Sequence, residues 1–332
     1  MQRPLVVTLT LNPAVDLSGE TERLLPQHKL RCVNERRDAG GGGINVARVL
    51  QRLGAHPLAV FPVAGVTGGR LEKLVADEGV RHAAIPGGGE TRENVTVLET
   101  LTGRQYRFVF PGQPLSTWDT RKCCDAALLS VTPDGWLVAS GSLPPGCPAD
   151  TYAMLARRTA AAGALFALDA SGEPLRKALA EPIDLLKLSE SELGSLSDTD
   201  LPDTAACVAA AKAVLTAGVK MVAVTRAEKG ALLISEGFVL EATAPAIQPV
   251  STVGAGDSFL AALVWELSRD SRPEEALRTA IAAGSAALTS PGTDLCRAET
   301  VWHLRPHVQI RALGHSDAFQ APVVDGLMEH SL

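Results

Sequence analysis

Residues 164–189 read ALFALDASGEPLRKALAEPIDLLKLS, one complete strand–helix–strand unit. ALFALDA (164–170) and IDLLKLS (183–189) are short apolar runs bounded by Ser, Gly and Pro, the pattern of strands buried on both faces. The amphipathic stretch between them, 172–180, is predicted to be helical and has the length a parallel crossover needs. Outward from this unit the rhythm repeats. Further strands are predicted at VVTLTL (6–11), LAVFPV (58–63), GWLVASG (135–141) and MVAVTR (221–226). Further helices are predicted at 43–53, 68–78, 149–162 and 203–217. Such alternation predicts an α/β fold, with a largely parallel central sheet and helices on both of its faces.

Two segments, 13–38 and 91–110, break the rhythm with extended, polar-alternating sequence. The second has a turn at Thr102-Gly103 between alternating runs, the signature of a hairpin. Strands inserted between strand–helix units form a small separate sheet, and such a sheet can serve as a lid over an active site. From about residue 313 the chain loses periodicity and reads as a loosely held tail.

Composition narrows the function. With 332 residues, 46% of them hydrophobic, the chain can bury a large core. A net charge of −6 and 4% aromatic residues argue against a nucleic-acid binder. No apolar run approaches the roughly 18 residues that span a bilayer, and the N-terminus lacks the apolar core of a signal peptide. The six cysteines include no C-x-x-C pair and read as reduced thiols, so a cytoplasmic location is expected.

Three glycine-rich segments carry the chemistry. In STVGAGDSFLAAL (251–263), Gly254, Ala255 and Gly256 precede a helix predicted to start near Asp257. Unpartnered N–H groups and the helix dipole favour an anion there, and the Asp257 carboxylate would sit beside it as a general base. The alternative is a tight turn with Asp257 as a helix cap. In AGGGGINVARVL (39–50), four consecutive glycines ahead of a helix suggest close approach of backbone to a ligand, and Asn45 would meet sugar hydroxyls. No Lys-Ser/Thr pair follows, which excludes a Walker A loop, and Asn12-Pro13 after the first strand excludes a dinucleotide turn. In VASGSLPPGCP (138–148) a strand ends in Ser140 and Ser142, positions that line the crevice of a parallel sheet. Lys29, Arg31, Arg92 and Arg107 lie on the two inserted segments, where they could clamp a sugar phosphate, and Asp16 could accept hydrogen bonds from a sugar diol.

Together these pieces resemble the ribokinase-like (PfkB) sugar kinase family. The matching strings are KLRC (29–32), GGGGINVAR (40–48), YRFV (106–109), SGSLPPG (140–146), STVGAGDS (251–258) and AAGSAA (282–287). The resemblance implies a three-layer α/β/α kinase domain over 1–312 with a β-sheet lid from 13–38 and 91–110, and a tail over 313–332. It implies transfer of the γ-phosphoryl group of ATP to fructose 6-phosphate. Tagatose 6-phosphate and fructose 1-phosphate are the alternative substrates, and a weakly catalytic sugar-phosphate sensor is the alternative of another class. Fructose-1-phosphate kinases of the family look like GGKGIN at the glycine run, whereas this chain has Gly42 in place of the lysine.

Carried onto this chain, the resemblance makes Asp257 the base and Gly254, Ala255 and Gly256 the anion hole. Substrate contacts map to Asp16, Lys29, Arg31, Gly41, Asn45, Arg92 and Ser142. Nucleotide contacts map to Lys187, Ser189, Thr225, Ala227, Gly230 and Ser285. Magnesium would be held through water by Glu192, and a potassium ion by a loop of Ser251, Val253, Ala287, Ser290 and Gly292. A homodimer paired through the lid sheets is also implied. Three departures stand out: Ser189 replaces the asparagine of the family's Lys-Pro-Asn-x-x-Glu string, Ala227 replaces a glycine, and Asp294 replaces an arginine.

Overall fold

The computed structural model describes residues 6–290, 292 and 294–315. In chain order the strands are β1 (Val6–Leu9), β2 (Ala14–Thr21), β3 (Val33–Gly40), β4 (Leu58–Val63), β5 (Arg81–Pro86), β6 (Arg92–Glu99) and β7 (Arg104–Phe108). They continue as β8 (Trp136–Ser140), β9 (Leu165–Asp169), β10 (Leu185–Ser189), β11 (Met221–Thr225), β12 (Ala231–Ser235), β13 (Phe238–Thr243) and β14 (Gln309–His315). The helices are α1 (Gly42–Arg52), α2 (Gly65–Asp77), α3 (Thr117–Ser130), α4 (Thr151–Ala161) and α5 (Gly172–Ala178). After them come α6 (Glu190–Ser197), α7 (Thr204–Leu215), α8 (Ala255–Leu267), α9 (Pro273–Leu288) and α10 (Ala298–Leu304).

Ten strands form the main sheet in the order β14-β13-β12-β11-β10-β9-β8-β1-β4-β5. From β11 to β5 every pairing is parallel, whereas β12, β13 and β14 are added antiparallel. Strands β1 and β8 alternate between two apolar cores, and Ala59 and Phe61 of β4 join a third with α2. Val7, Leu9, Leu137 and Ala139 join one core with residues of α3 to α7. Val6, Trp136 and Val138 join the other with α1, α8, α9 and α10. A sheet covered on both faces needs apolar residues on both, which is why these strands read as unbroken apolar runs. Each fully buried Leu or Phe adds about 1.5–3 kcal/mol.

The second sheet has the order β3-β2-β6-β7, with β2 and β6 parallel and the outer pairs antiparallel. It is built from the two inserted segments, and the β6–β7 hairpin closes at Thr102-Gly103 through a Gly103 N–H bond to the Glu99 carbonyl. Sequence reasoning missed β5, β12, β13, α3, α6, α9 and α10. It also placed a tail from residue 313, whereas β14 continues to His315 and pairs with β13. An edge strand completed by a partner far along the chain has no local signature. The rest of that segment, 316–332, lies outside the described residues.

Strand order reverses between β1 and β8, and α1 begins over that point. A Cβ at Gly43 would stand 2.5 Å from the Leu9 carbonyl oxygen and 2.7 Å from the Thr10 hydroxyl, and one at Gly42 would overlap Ser140. Gly41, the helix cap, has φ 116°. The glycine run thus lets helix α1 sit directly on the ends of β1 and β8, a packing demand that stands beside the ligand approach the sequence suggested. Replacing Gly43 by Ala should lower stability by about 1–3 kcal/mol through overpacking; an unchanged denaturant midpoint would contradict it.

At Ala227 the backbone has φ 50°. Left-handed backbone costs alanine roughly 1 kcal/mol relative to glycine, so Ala227→Gly should raise the unfolding midpoint by an amount of that order. A lower midpoint would show that the turn is not strained.

Candidate active site

The carboxyl ends of the parallel strands define the crevice, as expected for an open α/β sheet. Ser140 ends β8, Asp169 ends β9, Ser189 ends β10 and Thr225 ends β11. Asn12 and Ser142 follow β1 and β8, and the Asn12 side chain donates 3.2 Å to the Ser142 hydroxyl.

Asp257 lies on the first turn of α8, whose cap is Gly254 with φ 75°. A side chain at Gly254 would overlap Leu295, so only glycine fits this corner. Asn45 Nδ2, on the first turn of α1, donates 2.8 Å to Asp257 Oδ2. Burial, and then the nearby Asp169 carboxylate, push Asp257 up to about 6, while Asn45 and Lys187 oppose them. Lys187 Nζ lies 3.2 Å from both Asp169 oxygens. A Cβ on Gly256 would be only 3.0 Å from that same ammonium. Burial pulls Lys187 down, but Asp169, Glu192 and Asp257 outweigh it and hold the ammonium above its ordinary value. The helix start therefore offers N–H groups beside a fixed positive charge, with a carboxylate poised above its usual range. This is a site for an anion next to a proton acceptor.

Sequence reasoning passed over Asp169, although its position at the end of an apolar strand, ALFALDA, is the available signal. It also used Asn12 only as an exclusion.

On the sugar side, Asp16 sits on β2 and accepts 2.9 Å from Asn94 Nδ2. Burial raises its carboxyl, opposed by Asn94, Arg107 and Arg92. Arg92 lines an open cleft with Asn12, Phe110, Ser142 and Pro144. Its guanidinium donates to the Asn12 carbonyl at 2.7 Å and the Phe110 carbonyl at 2.6 Å, so it also ties the second sheet to the main one. Lys29 and Arg31 lie exposed on the β2–β3 connection, and no polar contact among the described residues joins them to the Asp257–Asn45 pair.

On the nucleotide side, Ser189 caps α6 in a reciprocal box. Its hydroxyl accepts from the Glu192 N–H at 3.2 Å, and Glu192 Oε2 takes the Ser189 N–H at 2.7 Å and its hydroxyl at 2.8 Å. The departure from asparagine thus engages the carboxylate assigned to magnesium. Thr225 lies beside Ser189 in register. Gly230 has φ 88°, and a side chain there would overlap the Ala242 carbonyl, a structural reason for glycine. Arg226 is buried, pairs with Glu241 at 2.6 Å and donates 2.7 Å to Thr204, which pins the loop that carries Ala227. Ser285 is buried on α9.

The loop residues Ser251, Val253, Ala287, Ser290 and Gly292 gather at the end of α9. Ser251 donates 3.2 Å to the Gly292 carbonyl, its N–H bonds the Leu288 carbonyl at 3.2 Å, and the Ser290 N–H bonds the Ala287 carbonyl at 3.1 Å. Carbonyl and hydroxyl oxygens are the hard donors an alkali cation takes, so the set fits. Asp294 is ringed by Arg36, Arg52 and Arg297, which accommodates an acidic residue in place of the expected arginine.

The model of the pfkB family carbohydrate kinases matches residues 4–300. ATP-dependent 6-phosphofructokinase isozyme 2 of Mycobacterium tuberculosis is 38% identical over 300 residues, covering 90% of this chain and 88% of that protein. The 1-phosphofructokinase of Xanthomonas campestris is 35% identical over 269 residues, covering 80% and 84%. Phosphofructokinase-2 of Escherichia coli, solved in complex with substrates and products, superposes with a TM-score of 0.87 at 36% identity over 91% of this chain and 98% of that one. The same enzyme has been solved in complex with potassium, with a TM-score of 0.87, 36% identity and coverage of 92% and 99%. A match this long means that the chain belongs to the pfkB family of carbohydrate kinases.

Proposed function

We propose that this chain transfers the γ-phosphoryl group of ATP to the C1 hydroxyl of fructose 6-phosphate. The observation that carries the reading is the half-buried Asp257 carboxylate at a helix start, bonded to Asn45 and flanked by Lys187. Asp257 takes the hydroxyl proton, the sugar oxygen bonds the γ-phosphorus, and the bond to the bridging oxygen of ADP breaks. The first N–H groups of α8 and the Lys187 ammonium face the charge on the phosphoryl oxygens. Arg92, Asp16 and Ser142 orient the sugar phosphate, and the second sheet acts as a lid that keeps water out. Glu192 would hold, through water, the magnesium that comes with the nucleotide, and that ion would supply charge neutralisation. The set Ser251, Val253, Ala287, Ser290 and Gly292 would take potassium.

Gly42 favours the 6-phosphate. A side chain there would collide with Ser140, so the lysine of the fructose-1-phosphate pattern has no room without a shift of that strand end. The lid sheet carries exposed apolar residues, Val33, Phe108, Val109 and Phe110, which supports pairing of two copies through it. No helix among the described residues is long and apolar enough to cross a membrane, and we place the enzyme in the cytoplasm with its substrates.

A panel of fructose 6-phosphate, tagatose 6-phosphate and fructose 1-phosphate in a coupled ADP-release assay, with and without K⁺, tests the substrate. Fructose 6-phosphate should lead in kcat/KM by at least ~10-fold, a margin typical of correctly placed hydrogen-bonding groups. A higher value for fructose 1-phosphate would reverse the assignment, and binding without turnover would favour a sensor.

Asp257→Asn should lower kcat by at least ~10²-fold with sugar-phosphate binding kept. In the wild type the base works only when ionised, so kcat/KM should fall as pH drops through about 6. The native carboxyl is raised above its unfolded value, so its ionisation opposes folding at neutral pH and the Asn variant should not be less stable. Wild-type turnover in this variant would remove Asp257 from the mechanism.

A further inference from the structure

We propose that Arg48 is a positioning residue for phosphoryl transfer, holding the Asn45 amide in the one orientation that donates to the Asp257 carboxylate. The inference rests on the reading of Asp257 as the base. Arg48 lies on α1 one turn after Asn45 and is only 1% exposed. Its Nη1 donates 2.8 Å to the Ala39 carbonyl and 3.2 Å to Asn45 Oδ1. Its Nε donates 2.7 Å to Glu78 Oε1, and the other oxygen of Glu78 takes Arg52 at 3.0 Å. A run of bonds thus leads from a partly exposed carboxylate, through a buried guanidinium and an amide, to the base.

The logic lies in donor and acceptor inventory. Arginine has only donors, so the amide must turn Oδ1 toward it. Asn45 then has Nδ2 left for Asp257, and an ionised carboxylate accepts only. A flipped amide would set its NH₂ against the guanidinium and its oxygen against the carboxylate, two repulsive contacts in place of two bonds. A purely structural role, tying α1 to the end of β3 through Ala39, would not require the bond to Asn45. Burying an arginine also costs free energy unless every donor is used.

Arg48→Met, Arg48→Lys, Asn45→Ala and Asp257→Asn, each with its thermal midpoint, separate these roles in pH–rate profiles with ATP and fructose 6-phosphate. The other charged groups that act on Asp257 are Asp169 from β9, Lys187 from β10 and Asp16 from β2, and all stay in place in the Arg48 variants. Arg48→Met should lower kcat about 10-fold with little change in the KM for ATP. It should also move the acid limb upward by about one pH unit, the size of a lost hydrogen bond to a carboxylate. Arg48→Lys should recover part of both effects. In an Asn45→Ala background, Arg48→Met should move the limb no further.

A folded Arg48→Met enzyme with unchanged kcat and limb, alongside an inactive Asp257→Asn, would overturn the role of Arg48 and leave the base standing. A limb shift that persists without Asn45 would overturn it too. Full turnover by Asp257→Asn would instead defeat the reading beneath it. If Arg48→Met does not fold, Arg48→Lys carries the test, and an unmoved limb in that variant is the overturning result.

Discussion

The hydrogen bond from Asn45 to Asp257 joins two helix starts that are 212 residues apart in the chain. The site exists because α1 and α8 bring their first turns to one point, the place where the main sheet reverses its strand order. Helix starts carry unpartnered N–H groups and partial positive charge, so two of them facing one crevice make a site for anions. The carboxylate between them would be out of place without Asn45 and Lys187, whose polar contacts offset part of its desolvation.

Close packing sets the precision of that meeting. Gly42 and Gly43 leave no space between α1 and the ends of β8 and β1, and Gly254 leaves none between the α8 cap and Leu295. Side chains at these places would push the helix starts apart by more than a hydrogen bond tolerates. Glycine here trades conformational entropy for position. The same constraint bears on the proposed substrate, since a side chain added at Gly42 would collide with Ser140.

The chain's departures from its family fall away from this centre. Ser189 makes a helix cap and draws Glu192 into it, so the carboxylate proposed to hold magnesium also caps α6. Ala227 tolerates left-handed backbone in a loop that Arg226, Glu241 and Thr204 hold from beneath. Asp294 lies among arginines from β3, α1 and its own loop, so its charge is matched from three directions. Each change is absorbed locally, and none touches the Asp257–Asn45 contact.

Much of this was legible from the chain. Apolar runs bounded by Gly, Ser and Pro located six strands of the main sheet, because strands buried on both faces leave a dense local signal. The alternating segments at 13–38 and 91–110 announced the second sheet, and STVGAGD announced the helix start with its carboxylate. What tertiary structure alone decided was who meets whom. β12, β13 and β14 became strands by pairing at one side of the sheet, and Asp169 became part of the site by ending β9 beside Lys187 on the neighbouring β10. The glycine run read as a ligand cradle, and folding added a packing role, with Ser140, the Asp16 carboxylate and the Leu9 carbonyl as its tightest neighbours. Periodicity is a property of neighbours along the chain, whereas a hydrogen-bonded site is a property of neighbours in space. The sequence therefore settled the strands buried on both faces and the candidate reacting types, and only folding could complete the sheet and set the distances between them.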